Sequence, residues 1–341
     1  MSGSLLVAAV VLNYRSTPDT VACVQALARS QQLDLRVVVV DNAAPGPEHE
    51  ALRTALLDAG LRPGGGPDTS LRLVAAGGNL GYAGGNNVGL AAAADWSPEF
   101  SWLVNPDVRV APDTLPLLLR AAGRAPDAGA LGPRVVLAGS DPVVIWSDGG
   151  VVDAATGRTA NLHMGRPEAT TGGGGLHETD YVYGGALLLR RGALAEAGPL
   201  PEDWFLYFEE TDYCRTLAAL GWRLLVEPAA RVENHRPAGD GLPRPHYLYY
   251  MTRNKIVFTR RHGFVERTAL DEFQESFLGR WRDQVAALAP SWLPTFDDVV
   301  ALAVADADAG RTGRSHAIEA VPPPVAAAAR ERVPVGVGSP A

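Results

Sequence analysis

The sequence predicts an α/β fold: a Rossmann-like, mostly parallel central sheet flanked by helices, with a helical appendage at the C-terminal end. Two continuous apolar runs rich in β-branched residues, Leu5–Leu12 and Leu35–Val40, have the pattern of strands buried on both faces. Segments with helical periodicity separate these strands from later ones, which is typical of βαβ units. The length of 341 residues is enough for one large α/β domain plus the appendage.

Strands and helices alternate through the first part of the chain. The predicted strands are Leu5–Leu12, Leu35–Val40, Leu71–Ala75, Ser101–Val104, Val182–Arg190 and Trp222–Glu227. The predicted helices are Thr17–Ser30, Glu48–Ala59, Val88–Ala94, Asp113–Ala125 and Thr211–Leu220. Between Gly132 and about Thr179 the pattern breaks into short strands and glycine runs, which predicts an irregular or mobile segment over one edge of the sheet.

The C-terminal part of the chain has a different composition. Residues 245–290 are helical in pattern and rich in aromatic side chains, and the last stretch is rich in Pro, Ala and Gly. We therefore predict an α/β domain at residues 1–240, a helical region at 241–320 and a flexible tail at 321–341.

Composition and charge exclude several classes of protein. A net charge of −8 and a sequence pI near 5.4 argue against nucleic acid as the main partner. The cysteines, Cys23 and Cys214, lie far apart, which fits a reducing compartment. The first apolar run is too short to span a bilayer and follows no basic segment, so we interpret it as a strand and not a signal peptide. We expect a cytoplasmic protein with at most peripheral contact at the inner face of the membrane, and a homodimer is compatible with the sequence.

Polar clusters follow four of the predicted strands. They are Asn13-Tyr14, Asp41-Asn42, the Asn79–Asn87 loop and Asn105-Pro106-Asp107. Since ligands of open parallel sheets bind at the carboxyl ends of the strands, four such clusters indicate one crevice. A carboxylate directly after a buried strand, here Asp107, is a fixed oxygen ligand suited to a divalent cation. The alternative is that Asn-Pro-Asp only forms a turn.

The stretch GGNLGYAGGNNVGL places glycines and amides in one loop before a helix. Glycines let backbone N–H groups approach a ligand closely, although the stretch also fits a plain connection between a strand and a helix. The chain lacks the G-x-G-x-x-G dinucleotide pattern and the G-x-x-x-x-G-K-[ST] phosphate loop.

Three acids, Glu209, Glu210 and Asp212, stand at the start of a predicted helix. Helix capping explains acids at this position, but three of them exceed what capping needs. A carboxylate is suited to act as general base toward a hydroxyl. His235 follows the last predicted strand and is either a structural residue or a further metal ligand.

In the order of these segments the chain resembles the inverting family 2 glycosyltransferases of GT-A fold, particularly the bacterial rhamnosyltransferase-like and galactofuranosyltransferase-like branch. The resemblance covers about residues 5–260 in the family's order and spacing. The matching stretches are VVLNYRS, VVVVDNAAP, GGNLGYAGGNNVGL, WLVNPDV, VYGGALLLRR, FLYFEETDYCRTLAALGW and, more loosely, YYMTRNKIVF.

The resemblance implies a site for a nucleotide-diphosphate sugar. The residues it assigns to the nucleotide and donor are Asn13, Asp41, Asn79, Gly81, Gly84, Asn86, Asp107 and Arg253. Among these, Asp41 would hold the base through its ring N–H and Arg253 would face the leaving diphosphate. Asp107 matches the last acid of the family's Asp-x-Asp motif and would hold Mg²⁺ or Mn²⁺, while His235 matches a metal-binding histidine of part of the family.

The resemblance also implies an acceptor side. Gly184, Gly185 and Trp204 would lie around the donor sugar and the acceptor, and Glu210 matches the catalytic base. Two positions depart from the family pattern. Asn105 replaces the first acid of Asp-x-Asp, and Glu210 stands where Asp is usual, which leaves Glu209 and Asp212 as alternative bases.

The expected activity is metal-dependent transfer of a sugar, with inversion, from a dTDP-, UDP- or GDP-sugar to a hydroxyl of a glycan, a lipid-linked acceptor or a small molecule. Such a reaction belongs to cell-wall or polysaccharide biosynthesis. One alternative is a sugar nucleotidyltransferase, but the segment after the first strand, LNYRSTPDT, is not the glycine-rich basic loop which that reaction needs. The other is a non-catalytic carbohydrate- or partner-binding module, against which the joint presence of Asp107, Glu210 and His235 argues.

Overall fold

The computed structural model describes residues 5–30, 34–66, 68–235 and 241–326. The chain divides into two compact units, which we describe separately. The first comprises Met1–Val151, Ala160–Glu202 and Glu209–Arg236, and the second comprises Val152–Thr159, Asp203–Phe208 and Pro237–Ala341. Most of the predicted tail, from residue 327 onward, lies outside the described residues.

The strands of the described chain are numbered in order. They are β1 Leu6–Asn13, β2 Asp34–Asp41, β3 Leu71–Ala75, β4 Phe100–Val104, β5 Val108–Val110, β6 Ala128–Leu137, β7 Ile145–Ser147, β8 Gly150–Val152, β9 Thr159–Asn161, β10 His177–Glu178, β11 Ala186–Arg190 and β12 Arg223–Asn234.

The α-helices are numbered in the same way. They are α1 Thr17–Leu27, α2 Pro47–Asp58, α3 Gly81–Ala93, α4 Thr114–Arg124, α5 Arg191–Ala197, α6 Glu209–Ala219, α7 Pro245–Arg261, α8 Glu266–Phe273, α9 Arg280–Leu288, α10 Leu293–Asp308 and α11 His316–Glu319. A π-helical stretch, Gln274–Gly279, joins α8 to α9.

The central sheet of the first unit has the strand order β10-β12-β6-β11-β4-β1-β2-β3. Strand β1 is parallel to both β2 and β4, whereas β11 is antiparallel to its neighbours β4 and β6. The register pairs Asn13 with Asp41 and Val11 with Val104, so the carboxyl ends of these strands meet at one edge. The predicted α/β fold with a mostly parallel central sheet is confirmed.

The valine-rich runs explain the position of the core. Residues 37–40 of β2 and 7–11 of β1 are buried, as expected of strands covered on both faces. Burying a valine side chain stabilises a fold by about 1.5 kcal/mol or more, so these two strands alone contribute strongly to the stability of the unit.

Two predictions about this unit differ from the structure. The segment from Gly132 to about Thr179 was expected to break into short strands and glycine runs, and it contains the short strands β7 to β10, but its beginning belongs to β6, a ten-residue strand between β11 and β12. The glycine-rich stretch was expected to be a loop up to Val88, but α3 already begins at Gly81. In both places, tight packing of glycine against a neighbouring element outweighs its low propensity for regular structure, since Gly132 faces Val182 and Gly89 faces Val10.

The second unit consists mainly of helices α7 to α11. Its core contains Leu248 and Tyr249 of α7 together with Phe277, Trp292 and Phe296 from the following helices. The short segments 152–159 and 203–208 belong to the same unit, which the sequence pattern did not predict. Inside it, the Lys255 ammonium donates a hydrogen bond of 2.9 Å to the Thr156 carbonyl oxygen.

Candidate active site

The first two strand ends carry a buried polar network. The Asn13 amide donates to Asp41 Oδ1 over 3.3 Å, and the Ala43 backbone N–H donates to the same oxygen over 3.2 Å. His49 Nδ1 lies 2.9 Å from Asp41 Oδ2. Asp41 is therefore buried with a partner at each carboxylate oxygen.

The next two polar residues fix the start of α3. Asn42 accepts a hydrogen bond of 3.0 Å from the Leu80 backbone N–H and donates one of 3.0 Å to the Gly81 carbonyl oxygen. Asn79 Oδ1 accepts from the Gly81 N–H over 3.0 Å. The end of β2 and the start of α3 are thus held together by amide side chains. The Leu80 and Gly81 N–H groups are used in these bonds, so the feature of this helix start that favours an anionic ligand is the positive end of its dipole.

The glycines of α3 have a packing role instead of the predicted loop role. A Cβ on Gly85 would lie 2.3 Å from Leu12 Cδ1, and a Cβ on Gly84 would lie 2.8 Å from Leu80 Cβ. Asn86 is 1% exposed and donates to the Tyr82 carbonyl oxygen one turn earlier, over 2.9 Å. Gly84 and Asn86 are therefore closely packed within the protein, and their assignment to the donor site stays a prediction.

The structure brings Asp107 and His235 together. Residues 105–108 form a turn closed by a hydrogen bond of 3.1 Å from the Val108 N–H to the Asn105 carbonyl oxygen. Strand β5 then runs antiparallel to the end of β12, with Val108 opposite Asn234. One position further out, the His235 N–H donates to the Asp107 carbonyl oxygen over 2.7 Å. Asn-Pro-Asp thus forms the turn that was the alternative interpretation, and the role of Asp107 as a cation ligand stays a prediction.

Asp107 and His235 are chemically suited to a divalent cation. An imidazole and a carboxylate are ligands that Mn²⁺ accepts, and Mg²⁺ accepts the carboxylate. The His235 side chain is 40% exposed, with Nε2 3.5 Å from Glu233 Oε2. No group of three or more His, Cys, Asp or Glu side chains within the described ranges is arranged to hold a metal. A cation here would therefore need oxygens from a bound diphosphate or from water.

The three acids open helix α6. Glu209 and Asp212 are buried, at 4% and 5% exposed, whereas Glu210 is part-buried. Burial raises the pKa of Glu209 well above its usual range, and the charge of Glu210 raises it further. Burial also raises the pKa of Glu210, but the backbone N–H groups of Glu210 and Thr211 oppose this shift. Of this pair, Glu209 therefore holds a proton more firmly, and Glu210 is the one that ionises first.

The Gly184-Gly185 pair lies next to Glu210 of helix α6 and next to the Asn-Pro-Asp turn. A Cβ on Gly184 would lie 3.2 Å from both Cβ and Cγ of Glu210. The Gly185 carbonyl oxygen accepts a hydrogen bond of 3.0 Å from the Asn105 N–H. The predicted base and the predicted metal-binding turn are thus joined through two adjacent glycines of the first unit.

One residue near Glu210 was not predicted. Tyr82, the second residue of α3, donates its hydroxyl to the Gly184 carbonyl oxygen over 2.5 Å. Burial raises its pKa well above the usual range, and the charge of Glu210 adds to the shift. The sequence offered only one indication, an aromatic residue inside the glycine-rich stretch.

Two predicted site residues are core residues of the second unit. Trp204 is 1% exposed and stacks on Phe208 with ring centroids 6.1 Å apart, so its side chain packs in the core and its assignment to the substrate stays a prediction. Arg253 is equally buried. Its guanidinium donates over 2.6 Å to the Gly313 carbonyl oxygen and over 2.8 Å to that of Trp204, so it does not face a diphosphate here.

Arg253 and its neighbour Asn254 instead hold a strained loop. Phe205, Tyr207 and Phe208 have φ values of 66°, 66° and 74°, in the left-handed region that non-glycine residues rarely adopt. The Asn254 side-chain amide donates to the Leu206 carbonyl oxygen over 2.7 Å and to that of Tyr207 over 2.9 Å. Such conformations cost about 1–3 kcal/mol each and persist only where the surroundings enforce them. The loop ends directly before Glu209.

These features define the class of the protein as an α/β protein of GT-A fold. In sequence the chain is 28% identical over 273 residues to the N-acetylglucosaminyl-diphospho-decaprenol L-rhamnosyltransferase of Mycobacterium tuberculosis. The aligned region covers 67% of this chain and 86% of that protein. It is 25% identical over 153 residues to the low-salt glycan biosynthesis hexosyltransferase Agl10 of Haloferax volcanii, covering 42% of this chain and 45% of the relative. No model of a known protein family matches the chain.

Solved structures of glycosyltransferases share the fold. The mannosyltransferase PcManGT from Pyrobaculum calidifontis, in complex with GDP-Man and Mn²⁺, matches 94% of this chain and 79% of its own, with a TM-score of 0.53 and 19% identity. GalNAc-T7 with UDP, GalNAc and Mn²⁺ matches 82% of this chain and 57% of its own, with a TM-score of 0.51 and 12% identity. The predicted resemblance to glycosyltransferases of GT-A fold is confirmed. Among the described residues, no helix has the length and apolar character needed to cross a membrane.

Proposed function

We propose that the protein is an inverting, metal-dependent glycosyltransferase that moves a deoxyhexose or hexose from a nucleotide-diphosphate donor to a hydroxyl of a glycan or lipid-linked acceptor. The observation that carries the proposal is the link through Gly184 and Gly185. A Cβ on Gly184 would lie 3.2 Å from Cβ and Cγ of Glu210, and the Gly185 carbonyl oxygen accepts a hydrogen bond from the Asn105 N–H of the turn that contains Asp107. This arrangement supports placing the general base and the cation ligand in one site.

The relatives support the substrate class. The mycobacterial relative is named for rhamnosyl transfer to a lipid-linked N-acetylglucosaminyl diphosphate, and the haloarchaeal one for hexosyl transfer in glycan biosynthesis. The two structural neighbours are complexes with GDP-Man or with UDP and GalNAc, each with Mn²⁺. We therefore place dTDP-rhamnose first among donors, followed by UDP- and GDP-sugars, and a lipid-linked N-acetylglucosamine first among acceptors.

Asp107 and His235 would hold Mg²⁺ or Mn²⁺. When bound, the cation would supply positive charge that stabilises the leaving nucleotide diphosphate. The Leu80 and Gly81 N–H groups at the start of α3 donate to Asn42 and Asn79, so the contribution of this helix start to the donor side would be the positive end of its dipole.

Glu210 acts as the general base. It removes the proton of the acceptor hydroxyl while that oxygen attacks the anomeric carbon from the face opposite the diphosphate. The new glycosidic bond forms as the bond from the anomeric carbon to the diphosphate oxygen breaks, so a single displacement inverts the anomeric configuration. Burial raises the pKa of Glu209 and the charge of Glu210 raises it further, so ionisation of both carboxyls together is disfavoured.

The test is a nucleotide-release assay with the panel of donors above, a lipid-linked N-acetylglucosamine acceptor and Mn²⁺ or Mg²⁺. We expect release that requires acceptor and metal, and a product whose anomeric configuration by NMR is opposite to that of the donor. Glu210→Gln should lower turnover by about a hundredfold or more, the range for losing a general base. Asp107→Asn should remove metal-dependent donor binding.

Other outcomes would identify the alternatives. Release of pyrophosphate from a nucleoside triphosphate and a sugar phosphate would indicate a nucleotidyltransferase. Donor or glycan binding without transfer for every pair would indicate a binding module. A product that retains the anomeric configuration, or full turnover by Glu210→Gln, contradicts the proposed mechanism.

A further inference from the structure

Tyr82 stands at the junction between the donor side and the base. It is the second residue of α3, directly after the segment that Asn42 and Asn79 hold. Further along the same helix, Gly85 and Gly89 lie so close to Leu12 and Val10 of β1 that no Cβ fits between them. The backbone on both sides of Tyr82 is therefore held in place by neighbouring residues.

The hydroxyl of Tyr82 reaches the backbone that supports Glu210. It donates to the Gly184 carbonyl oxygen over 2.5 Å. A Cβ at Gly184 would lie 3.1 Å from the Tyr82 hydroxyl oxygen and 3.2 Å from the Glu210 methylenes, so Gly184 is enclosed between the two side chains. Since the Tyr82 proton is used in this bond, the hydroxyl is not itself a base.

We propose that Tyr82 is a positioning residue for the base: by holding the Gly184 peptide, it keeps the Glu210 side chain in the orientation that accepts the acceptor proton. This inference rests on the proposed function. Tyr82 belongs to α3, whose start lies on the proposed donor side. The hydrogen bond from its hydroxyl to the Gly184 carbonyl oxygen therefore makes the position of the base depend on the position of α3. Tyr82 acts through Glu210 and need not contact the reacting atoms.

The groups around Glu210 that bear on a pH profile come from three elements. They are Glu209 and Cys214 on α6, Tyr82 on α3, and Tyr181 in the segment before β11. Among these groups Glu209 is the only carboxylic acid, so its ionisation also affects the acidic side of the pH profile. A titration assigned to Glu210 must therefore be compared with the Glu209→Gln variant.

The experiment is a double-mutant cycle on the full chain with Tyr82→Phe and Glu210→Gln. Tyr82→Phe keeps the ring and removes only the hydroxyl, so we expect kcat to fall about tenfold, the effect of losing one hydrogen bond, with the KM for the donor unchanged within about twofold. In the Glu210→Gln background the same change should alter kcat less than twofold, because the base it positions is already absent. Tyr82→Phe should also move the decline of kcat at acidic pH, both in the wild-type protein and in the Glu209→Gln background.

Tyr213→Phe is the matched control. Tyr213 is a buried tyrosine of the same unit, and its hydroxyl donates to the Gly198 carbonyl oxygen over 2.8 Å. This variant should lose similar stability and keep kcat. If Tyr82→Phe lowers kcat equally in the wild-type and Glu210→Gln backgrounds, or not at all, Tyr82 does not act through Glu210 while the proposed function stands. If the wild-type protein transfers no sugar, or Glu210→Gln is fully active, the proposed function or its base assignment fails and the inference fails with it.

Discussion

Gly89→Ala tests whether the glycines of α3 are present for helix–sheet packing. In a helix interior, alanine is favoured over glycine by about 1 kcal/mol, so propensity alone predicts a stabilising change. At Gly89, however, the new Cβ would lie 2.3 Å from Val10 Cγ1 and 2.9 Å from Val40 Cγ2, whereas carbon atoms pack best at about 3.5–4.0 Å. The helix or both strands must therefore move by about 1 Å.

The expected net effect is a loss of about 2 kcal/mol. Overpacking a core costs about 1–3 kcal/mol. We expect a cost near the upper end of this range, because both valine methyl groups belong to buried strands whose positions the sheet fixes. The helix-propensity gain of about 1 kcal/mol offsets part of this cost. Gly123→Ala is the control, since Gly123 lies in α4, is exposed and has no heavy atom within 4 Å of its Cβ position. That variant should gain about 0.5–1 kcal/mol.

The measurement is urea unfolding of the three proteins, followed by far-UV circular dichroism. The slope of the unfolding free energy with urea should be similar in all three, so that the midpoints compare stability directly. If Gly89→Ala is as stable as Gly123→Ala, the close packing of α3 on β1 and β2 is not what keeps glycine at this position, and it does not explain why the helix begins at Gly81.

Three further predictions concern the site and its support. Glu209→Gln should keep turnover within a few-fold of wild type, and its stability relative to wild type should increase as pH rises. Because the pKa of Glu209 is raised in the folded protein, the native state of the wild type is stabilised by this proton at low pH and loses that stabilisation above the pKa. Glutamine does not titrate, so the variant has no such loss. Thermal melts from pH 4 to 9 check this, and parallel curves for both proteins would contradict it. His235→Ala should raise the Mn²⁺ concentration needed for half-maximal turnover, with activity recovered at high Mn²⁺; an unchanged Mn²⁺ titration would return His235 to a structural role. Arg253→Met should destabilise the protein by about 3 kcal/mol or more, because buried carbonyl oxygens lose charged donors, whereas Arg267→Met, at a side chain 92% exposed, should change the melting temperature little.

The sheet and the strand-end clusters were predictable because they depend on local pattern. Runs such as residues 37–40 can be stable only as strands covered on both faces, and strands separated by helices pair in parallel. Polar residues directly after such strands must then lie along one edge, which is where Asn13 and Asp41 are found side by side.

The start of α3 was not predictable from the same reasoning. Glycines and asparagines have low helix propensity, so the stretch around Gly84 and Gly85 has the composition of a loop. It is helical because only residues without a side chain let the helix approach β1 closely, a gain that appears only when both elements are in place. The burial of Trp204 and Arg253 was likewise not predictable. Trp204 packs on aromatic rings, and Arg253 donates to a carbonyl oxygen 60 residues away in the chain.

The sequence by itself determined the fold class and the chemical types at the site: a carboxylate after a strand, a histidine after another, and acids at a helix start. Only the tertiary structure decided which of them meet. Asp107 and His235 are far apart along the chain, and the antiparallel register of β5 and β12 makes them neighbours. Glu210 is distinguished from Glu209 by burial, since removal from water penalises the charged form of the more enclosed carboxyl most. Distances and burial of this kind arise from long-range packing, which no local pattern of residues encodes.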